Sequence, residues 1–353
     1  MRALALPLLL LAACGDDDPA QPIDASVAID AALDATIDAA VPTGCDYAEQ
    51  SDLTNDDVSS AAGMPEVTGV TFTTKTVVCG TFDATHFDGD ITVDVDGFTF
   101  TLAVAADVLV RIHGTGIGGP EFVGVDVYGG ATFNQLVGTN TVVGTHGVTA
   151  MRLPAGTYEL AAFALNSTAV TTSLPYRIEV VTDAPATRCP ELTAGGYAEA
   201  NDGGANTAND MIRLVSGTPP ALTASTTDLP EPTAFSIAGA TSYRLTGSAA
   251  DVATADLYED VDTYAIATAA ATNELTVRLT WPGTTTNLDY RLFEATMTEP
   301  VAVAIAAANT GPEVRTFAVK SSTSYWLLVG AKTGTAGLPA TYAATLCGAT
   351  FTP

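Results

Sequence analysis

The 353-residue chain has very few positively charged side chains. It contains 13 Lys and Arg against 40 Asp and Glu, so its formal net charge is −27. Phosphate binding requires clustered Lys and Arg, and no such cluster occurs, so we expect no nucleic-acid partner. Charged residues make up 15% of the sequence and hydrophobic residues 47%, which excludes an acidic disordered chain and favours folded domains.

The sequence also lacks the motifs of common enzyme classes. Its three histidines, His86, His113 and His146, are isolated, and neither H-E-x-x-H nor G-x-S-x-G occurs. Residues 114–119 match G-x-G-x-x-G, but Pro120 follows where a helix would have to begin to bind a pyrophosphate. We therefore predict that the protein is not an enzyme.

No segment is apolar for long enough to span a bilayer, which takes about 20 residues. The apolar run 3–13 follows Arg2 and ends in Leu-Ala-Ala-Cys14, which resembles a bacterial lipobox. The resemblance implies a signal peptide at 1–13, lipidation of Cys14 with acyl chains such as palmitate, and anchoring in the bacterial cell envelope, at the outer membrane. An ordinary signal peptide with a chance cysteine is the alternative.

The composition of residues 14–44 predicts a disordered tether. They hold seven Asp and no Lys, Arg or aromatic residue, so they cannot build a core. From Cys45 onward, Thr- and Val-rich alternating segments are separated by Gly, Pro, Asn and Asp, which is typical of β-strands and turns. A short helix competes only at 301–308. The predicted strands are 76–79, 91–95, 98–104, 108–112, 158–164, 176–181, 275–279, 290–293, 325–329 and 342–346.

The second half of the chain repeats the first. Tyr47-Ala-Glu49 returns as Tyr197-Ala-Glu199, and three later blocks return at offsets of 166 or 167. Near-constant offsets indicate a tandem duplication. We therefore predict an all-β protein with two tandem, jelly-roll-like β-sandwiches, copy 1 over 45–189 and copy 2 over 190–353.

Several motifs of copy 2 together resemble the bacterial pre-peptidase C-terminal domain. They are Ala-Glu-x-Asn-Asp at 198–202, Asp-Val-Asp-x-Tyr at 260–264 and the aromatic strand at 325–329. The resemblance implies a jelly-roll sandwich of a kind often attached to secreted peptidases, in which some members bind calcium and collagen. Copy 1 departs from the pattern at 50–52 and has Phe98 where copy 2 has Tyr264.

Matched acidic clusters in the two copies are the best candidates for a ligand site. Calcium prefers carboxylate and other oxygen ligands, and neither cluster contains a Lys or Arg. The alternative is that these residues cap turns and keep strand edges soluble. The candidate calcium ligands are Glu199, Asn201, Asp202, Asp256, Asp260 and Asp262 in copy 2, and Asp90, Asp94 and Asp96 in copy 1.

Four cysteines remain after Cys14, and in an exported chain they favour two disulfides. Three pairings are open. We favour Cys45–Cys79 with Cys189–Cys347, because the other two pairings cross between the copies and would restrict independent folding.

Trp281, which precedes Pro-Gly at a predicted strand end, is a candidate ligand platform, with burial in the core as the alternative. The leading functional hypothesis is a lipid-anchored envelope protein that presents two binding or scaffolding modules, stabilised by calcium. Its partners would be the membrane and a polysaccharide, a protein or another envelope component. The alternative is an accessory or regulatory subunit of a secreted peptidase or polysaccharide hydrolase.

Overall fold

The computed structural model is almost entirely β, which confirms the predicted fold class. Residues 41–353 form one compact unit. Within the described ranges, no helix has the length and apolar character needed to cross a membrane. The structure describes residues 43–50, 66–72, 74–82, 93–114, 122–129, 135–138, 141–165, 173–182, 188–200, 212–215, 221–224, 229–251, 258–295, 300–303 and 311–352.

Copy 1 folds as a sandwich of two mixed sheets. Its strands are β1 (Tyr47–Ala48), β2 (Glu66–Thr71), β3 (Lys75–Phe82), β4 (Val93–Leu102), β5 (Ala106–Gly114), β6 (Phe122–Gly129), β7 (Gln135–Gly138), β8 (Thr141–Val143), β9 (His146–Leu153), β10 (Gly156–Leu165) and β11 (Leu174–Thr182). One sheet has the order β1-β3-β11-β5-β9-β8 and the other β2-β4-β10-β6-β7. The pairs β1/β3 and β2/β4 are parallel.

Copy 2 repeats this arrangement. Its strands are β12 (Tyr197–Ala198), β13 (Ile212–Val215), β14 (Ala221–Ala224), β15 (Glu231–Ile237), β16 (Ser242–Ala249), β17 (Tyr258–Thr268), β18 (Glu274–Thr280), β19 (Leu288–Glu294), β20 (Pro300–Val303), β21 (Glu313–Ala318), β22 (Ser324–Lys332) and β23 (Ala340–Ala349). The first sheet has the order β12-β16-β23-β18-β21 and the second β15-β17-β22-β19-β20, with β13 and β14 as a separate antiparallel pair. Again the first two pairs, β12/β16 and β15/β17, are parallel.

Each sandwich has its own core, built by the two-residue period of its strands. Leu275, Val277 and Leu279 on β18 alternate with polar residues, and all three are buried between the sheets of copy 2. Tyr158, Leu160 and Ala162, two residues apart on β10, are likewise buried between the sheets of copy 1. The duplication read from the sequence therefore corresponds to two separately packed sandwiches.

Two local predictions differ from the structure. The predicted strands 91–95 and 98–104 are one strand, β4, because its ladder with β10 continues unbroken through Asp96 and Gly97. In the segment 301–308, residues as far as Val303 belong to β20 instead of a helix, and the remainder lies outside the described residues.

One disulfide lies within copy 1, and the other joins the boundary between the copies to copy 2. Cys45 bonds to Cys79 on β3, with an S–S distance of 2.04 Å. Cys189 bonds to Cys347 on β23, at 2.03 Å, and so joins the segment before copy 2 to its last strand. These are the two pairs favoured from the sequence.

The two sandwiches contact each other through a buried ion-pair network. Arg111 on β5 donates from Nε and Nη2 to the Glu274 carboxylate at 2.6 and 2.8 Å. Its Nη1 donates to Glu179 on β11 at 2.9 Å. Glu274, whose side chain is only 1% exposed, belongs to β18 of copy 2. Arg111 therefore ties the first sheet of copy 1 to the first sheet of copy 2.

Apolar and main-chain contacts complete this interface. Leu109, Val148 and Ala150 of copy 1 form a buried cluster with Ala318 of copy 2. The Arg315 side chain of copy 2 donates from Nη1 to the Ala150 carbonyl at 2.7 Å. The contact thus combines a small buried apolar cluster with hydrogen-bonded polar groups.

Candidate functional site: a carboxylate–tyrosine cluster beside an open groove

Glu199 is held at the edge of the first sheet of copy 2. It follows β12, and its main-chain N–H donates to the Thr246 carbonyl at 2.8 Å. Its carboxylate accepts a hydrogen bond from the Ser248 N–H at 2.9 Å. The aromatic ring of Tyr197 packs edge-on against Tyr264 in the core, with centroids 6.5 Å apart. This side chain anchors β12, although the strand has only two residues.

Strand β17 brings two further predicted ligands, Asp260 and Asp262, close to Glu199. Asp260 accepts a hydrogen bond from the Ala250 N–H at 2.5 Å. Asp262 accepts one from the Tyr342 hydroxyl at 2.6 Å, and the hydroxyls of Tyr342 and Tyr264 are 2.5 Å apart. The sequence prediction therefore identified three residues that the fold places together.

Asp262 is only 3% exposed and faces two other acidic groups. Burial raises its pKa well above the usual range, and the charge of Glu199, a hydrogen bond with Glu199 and the charge of Asp260 raise it further. A hydrogen bond between two carboxyl groups requires a shared proton. Asp262 therefore keeps its proton to a higher pH than an exposed aspartate does.

The described carboxylates fit a calcium ion only in part. They are oxygen donors of the kind that calcium prefers. However, each of the three already accepts a hydrogen bond, and the raised pKa of Asp262 opposes the ionised form that calcium prefers. In the described part of the chain, no group of three or more His, Cys, Asp or Glu is arranged to hold a metal ion. Asn201, Asp202 and Asp256 lie outside the described residues, so calcium binding stays a prediction.

Copy 1 contains a counterpart of this cluster with one hydroxyl fewer. Glu49 accepts a hydrogen bond from the Thr81 N–H at 2.8 Å, as Glu199 does from Ser248. Asp96 is fully buried on β4, whose backbone also includes Asp94, whereas Asp90 lies outside the described residues. Phe98 occupies the position of Tyr264, so copy 1 cannot form the tyrosine pair.

Two further glutamates that the sequence interpretation missed complete the matched clusters. Glu66 on β2 accepts hydrogen bonds from the Tyr47 hydroxyl at 2.8 Å and from the Gln50 N–H at 3.0 Å. Glu231 on β15 accepts from the Ala200 N–H at 3.2 Å. Both residues begin a strand that pairs in parallel. Their separation of 165 residues, close to the repeat offset, was the available signal.

An open groove of about 690 Å³ lies beside the copy 2 cluster, on the outer side of the first sheet. Its lining includes Glu199 and Tyr342 of the cluster and, at one end, Trp281. Trp281 is 8% exposed, packs in the core and donates its indole N–H to the Thr286 carbonyl at 2.8 Å. It therefore forms part of the groove wall and also part of the core.

The two described histidines lie near the contact between the sandwiches. His146 Nε2 is 3.3 Å from Glu274 Oε1, and its ring stacks on Phe351 with centroids 4.9 Å apart. Burial and the neighbouring His146 lower the pKa of His113. His86, the glycine-rich residues 115–119 and Cys14 lie outside the described residues.

Comparison with known proteins finds similar folds at low identity. No protein-family model matches the chain, and no curated protein matches it. One similar solved structure is the pre-peptidase C-terminal domain of collagenase from Bacillus anthracis, with 17% identity over 33% of this chain and 96% of that chain (TM-score 0.25). Another is PliG of Aeromonas hydrophila, a periplasmic inhibitor of g-type lysozyme, with 17% identity over 34% of this chain and 99% of that chain (TM-score 0.23). The CUB1-EGF-CUB2 domains of rat MASP-1 match with 9% identity over 80% of this chain and 100% of that chain (TM-score 0.20).

Proposed function

We propose that this protein is a non-enzymatic, lipid-anchored component of the bacterial cell envelope that binds a ligand through its β-sandwiches. The lipobox-like Leu-Ala-Ala-Cys14 supports the anchor, and the acidic tether supports a spacer between the membrane and the sandwiches. The observation that carries the binding role is the open groove on copy 2. Its volume lies within the range of about 300–1,000 Å³ that ligand sites occupy.

The contact between the sandwiches supports presentation of this groove by one body instead of two loosely connected domains. Glu274 is buried and would lose its main counter-charge if copy 2 moved away from Arg111. Removing one partner of such a buried pair costs about 3–5 kcal/mol. A ligand held in the groove would therefore be positioned relative to copy 1 as well.

Calcium remains part of the proposal as a stabilising ion of the acidic cluster of copy 2. Bound calcium would stabilise the folded state by mass action. Thermal unfolding of the full-length chain in mild detergent, with 1 μM to about 10 mM calcium, checks this. A saturable rise in the melting temperature that magnesium does not reproduce supports it, and an unchanged melting temperature contradicts it.

Sedimentation with envelope material tests the binding role. The full-length chain in mild detergent is mixed with a detergent-washed envelope pellet from cells that lack it. Detergent prevents lipid insertion, so saturable cosedimentation reports the protein surface. The proposal predicts saturable cosedimentation, and none at any protein concentration would contradict it. Reproducible capture of one secreted peptidase or polysaccharide hydrolase would instead favour the accessory-subunit role.

A further inference from the structure

Hydroxyl-bearing side chains from three strands line the groove on copy 2. On β16, Leu245 and Ala249 point into the core, so Thr246 and Ser248 point outward. The same alternation places Thr341 of β23 and Thr280 of β18 on this face. All four residues line the groove. The floor is therefore rich in groups that both donate and accept hydrogen bonds.

Charged side chains at the groove balance each other. Glu191, Glu199 and Arg244 line it, and the guanidinium of Arg278 lies 3.6 Å from the Glu191 carboxylate. Arg244 donates to the Gly195 carbonyl through Nη1 at 3.2 Å. The groove lining thus combines two acidic groups and one basic group, and Arg278 next to it pairs with Glu191, although the net charge of the chain is −27. A site without excess charge favours a ligand without net charge.

The same face of copy 1 has different chemistry. The strand register places Val77 where copy 2 has Arg244, because Val77 lies opposite Glu179 and Arg244 opposite Thr345 at equivalent points of the sheets. By the same argument His113 stands where copy 2 has Thr280. Nearby, the apolar residues Leu109 and Val148 are covered by copy 2. The polar groove is therefore found on the outer face of the first sheet in copy 2 and not on the equivalent face of copy 1.

We propose that this groove binds a neutral saccharide segment of an envelope or extracellular polysaccharide, with Arg244, Glu199 and the hydroxyl side chains hydrogen-bonding to sugar hydroxyls. Every sugar hydroxyl both donates and accepts, which matches a lining of carboxylates, a guanidinium and hydroxyls. The inference rests on the proposed binding function and names the ligand class of the same groove. Ala198, Trp281, Pro282 and Ala343 also line the groove and add apolar contact surface for the faces of sugar rings.

Affinity electrophoresis tests the inference. The full-length chain in mild detergent is run through native gels that contain a soluble uncharged polysaccharide, namely a β-glucan, a mannan, a galactomannan or an arabinoxylan. A gel that contains alginate serves as the anionic comparison. We expect retardation by at least one uncharged polysaccharide, weakened about tenfold or more by Arg244→Ala, because a charge-assisted hydrogen bond is lost. Thr341→Val, at an exposed position, gives a second variant that removes a single hydroxyl.

Arg152→Ala is the matched control. Arg152 is an exposed arginine of copy 1 that pairs with Asp107 at 2.8 Å, away from the groove lining. The uncharged polysaccharide should retard the Arg152→Ala variant as much as it retards the unmodified chain. Retardation by alginate alone, by none of the uncharged polysaccharides, or equally in Arg244→Ala would overturn the inference. If the envelope pellet still binds the chain in that case, the proposed function stands without the saccharide; if it does not, both fail.

Discussion

Replacing Arg111 with methionine should destabilise the protein strongly, because it removes the main counter-charge of a buried carboxylate. Glu274 accepts two hydrogen bonds from Arg111, and with methionine His146 at 3.3 Å would be the remaining basic neighbour among the described residues. Removing one partner of a buried pair costs about 3–5 kcal/mol. For a domain of the size of one sandwich, about 1 kcal/mol lowers the melting temperature by roughly 2–4 °C, so Arg111→Met should lower it by about 6–20 °C.

Differential scanning calorimetry of the full-length chain measures this change, together with a double-mutant cycle. Glu274→Met combined with Arg111→Met removes both charges, so we expect the double variant to be more stable than Arg111→Met alone. Arg152→Ala breaks an ion pair whose arginine is 65% exposed, and it should cost no more than about 1 kcal/mol. An Arg111→Met protein as stable as Arg152→Ala would refute the claim that this ion pair joins the sandwiches.

Further changes test other parts of the structure. Burial and the charge of Asp289 raise the pKa of Glu313 to about 8, although Arg315 lowers it. The pKa of Glu313 in the unfolded chain is 4.5, so its contribution to the unfolding free energy should fall as the pH rises from about 4.5 to about 8. Glu313→Gln should therefore make the pH dependence of the unfolding free energy less steep in urea unfolding curves. Gly247→Ala would place Cβ 2.6 Å from the Tyr264 hydroxyl, so it should cost about 1–3 kcal/mol in the same assay, and a neutral effect would contradict the close packing. Cys14→Ser should abolish incorporation of labelled palmitate in cells, and continued labelling would exclude Cys14 as the lipidated residue.

The architecture was largely predictable, because period-two alternation and a repeat offset are written in the sequence. Residues 158–164 were predicted as a strand and form the centre of β10. The two-residue strands β1 and β12 were not predictable, since two residues carry no period and their parallel pairing depends on tertiary packing. Glu66 and Glu231 were not predicted as members of the clusters, because their hydrogen bonds are to residues in or next to those short strands.

The site was predictable only in its composition. Acidic residues at matched positions indicated where Glu199, Asp260 and Asp262 would meet, but the raised pKa of Asp262 depends on burial, which the sequence pattern does not report. The contact of Arg111 with Glu274 joins residues 163 positions apart on strands of different sandwiches. No local pattern encodes such a pair. The groove likewise combines residues from four strands and a preceding segment.

The central claim is that the groove of copy 2 holds the ligand, and a single-tryptophan protein tests it most directly. The chain has two tryptophans, and Trp326→Phe leaves only Trp281, which lines the groove. We predict that titration with the uncharged polysaccharide that binds most strongly gives a saturable change in Trp281 fluorescence, and that adding Arg244→Ala suppresses it. Fluorescence that stays constant while the polysaccharide still retards the protein would place the ligand elsewhere and contradict the account.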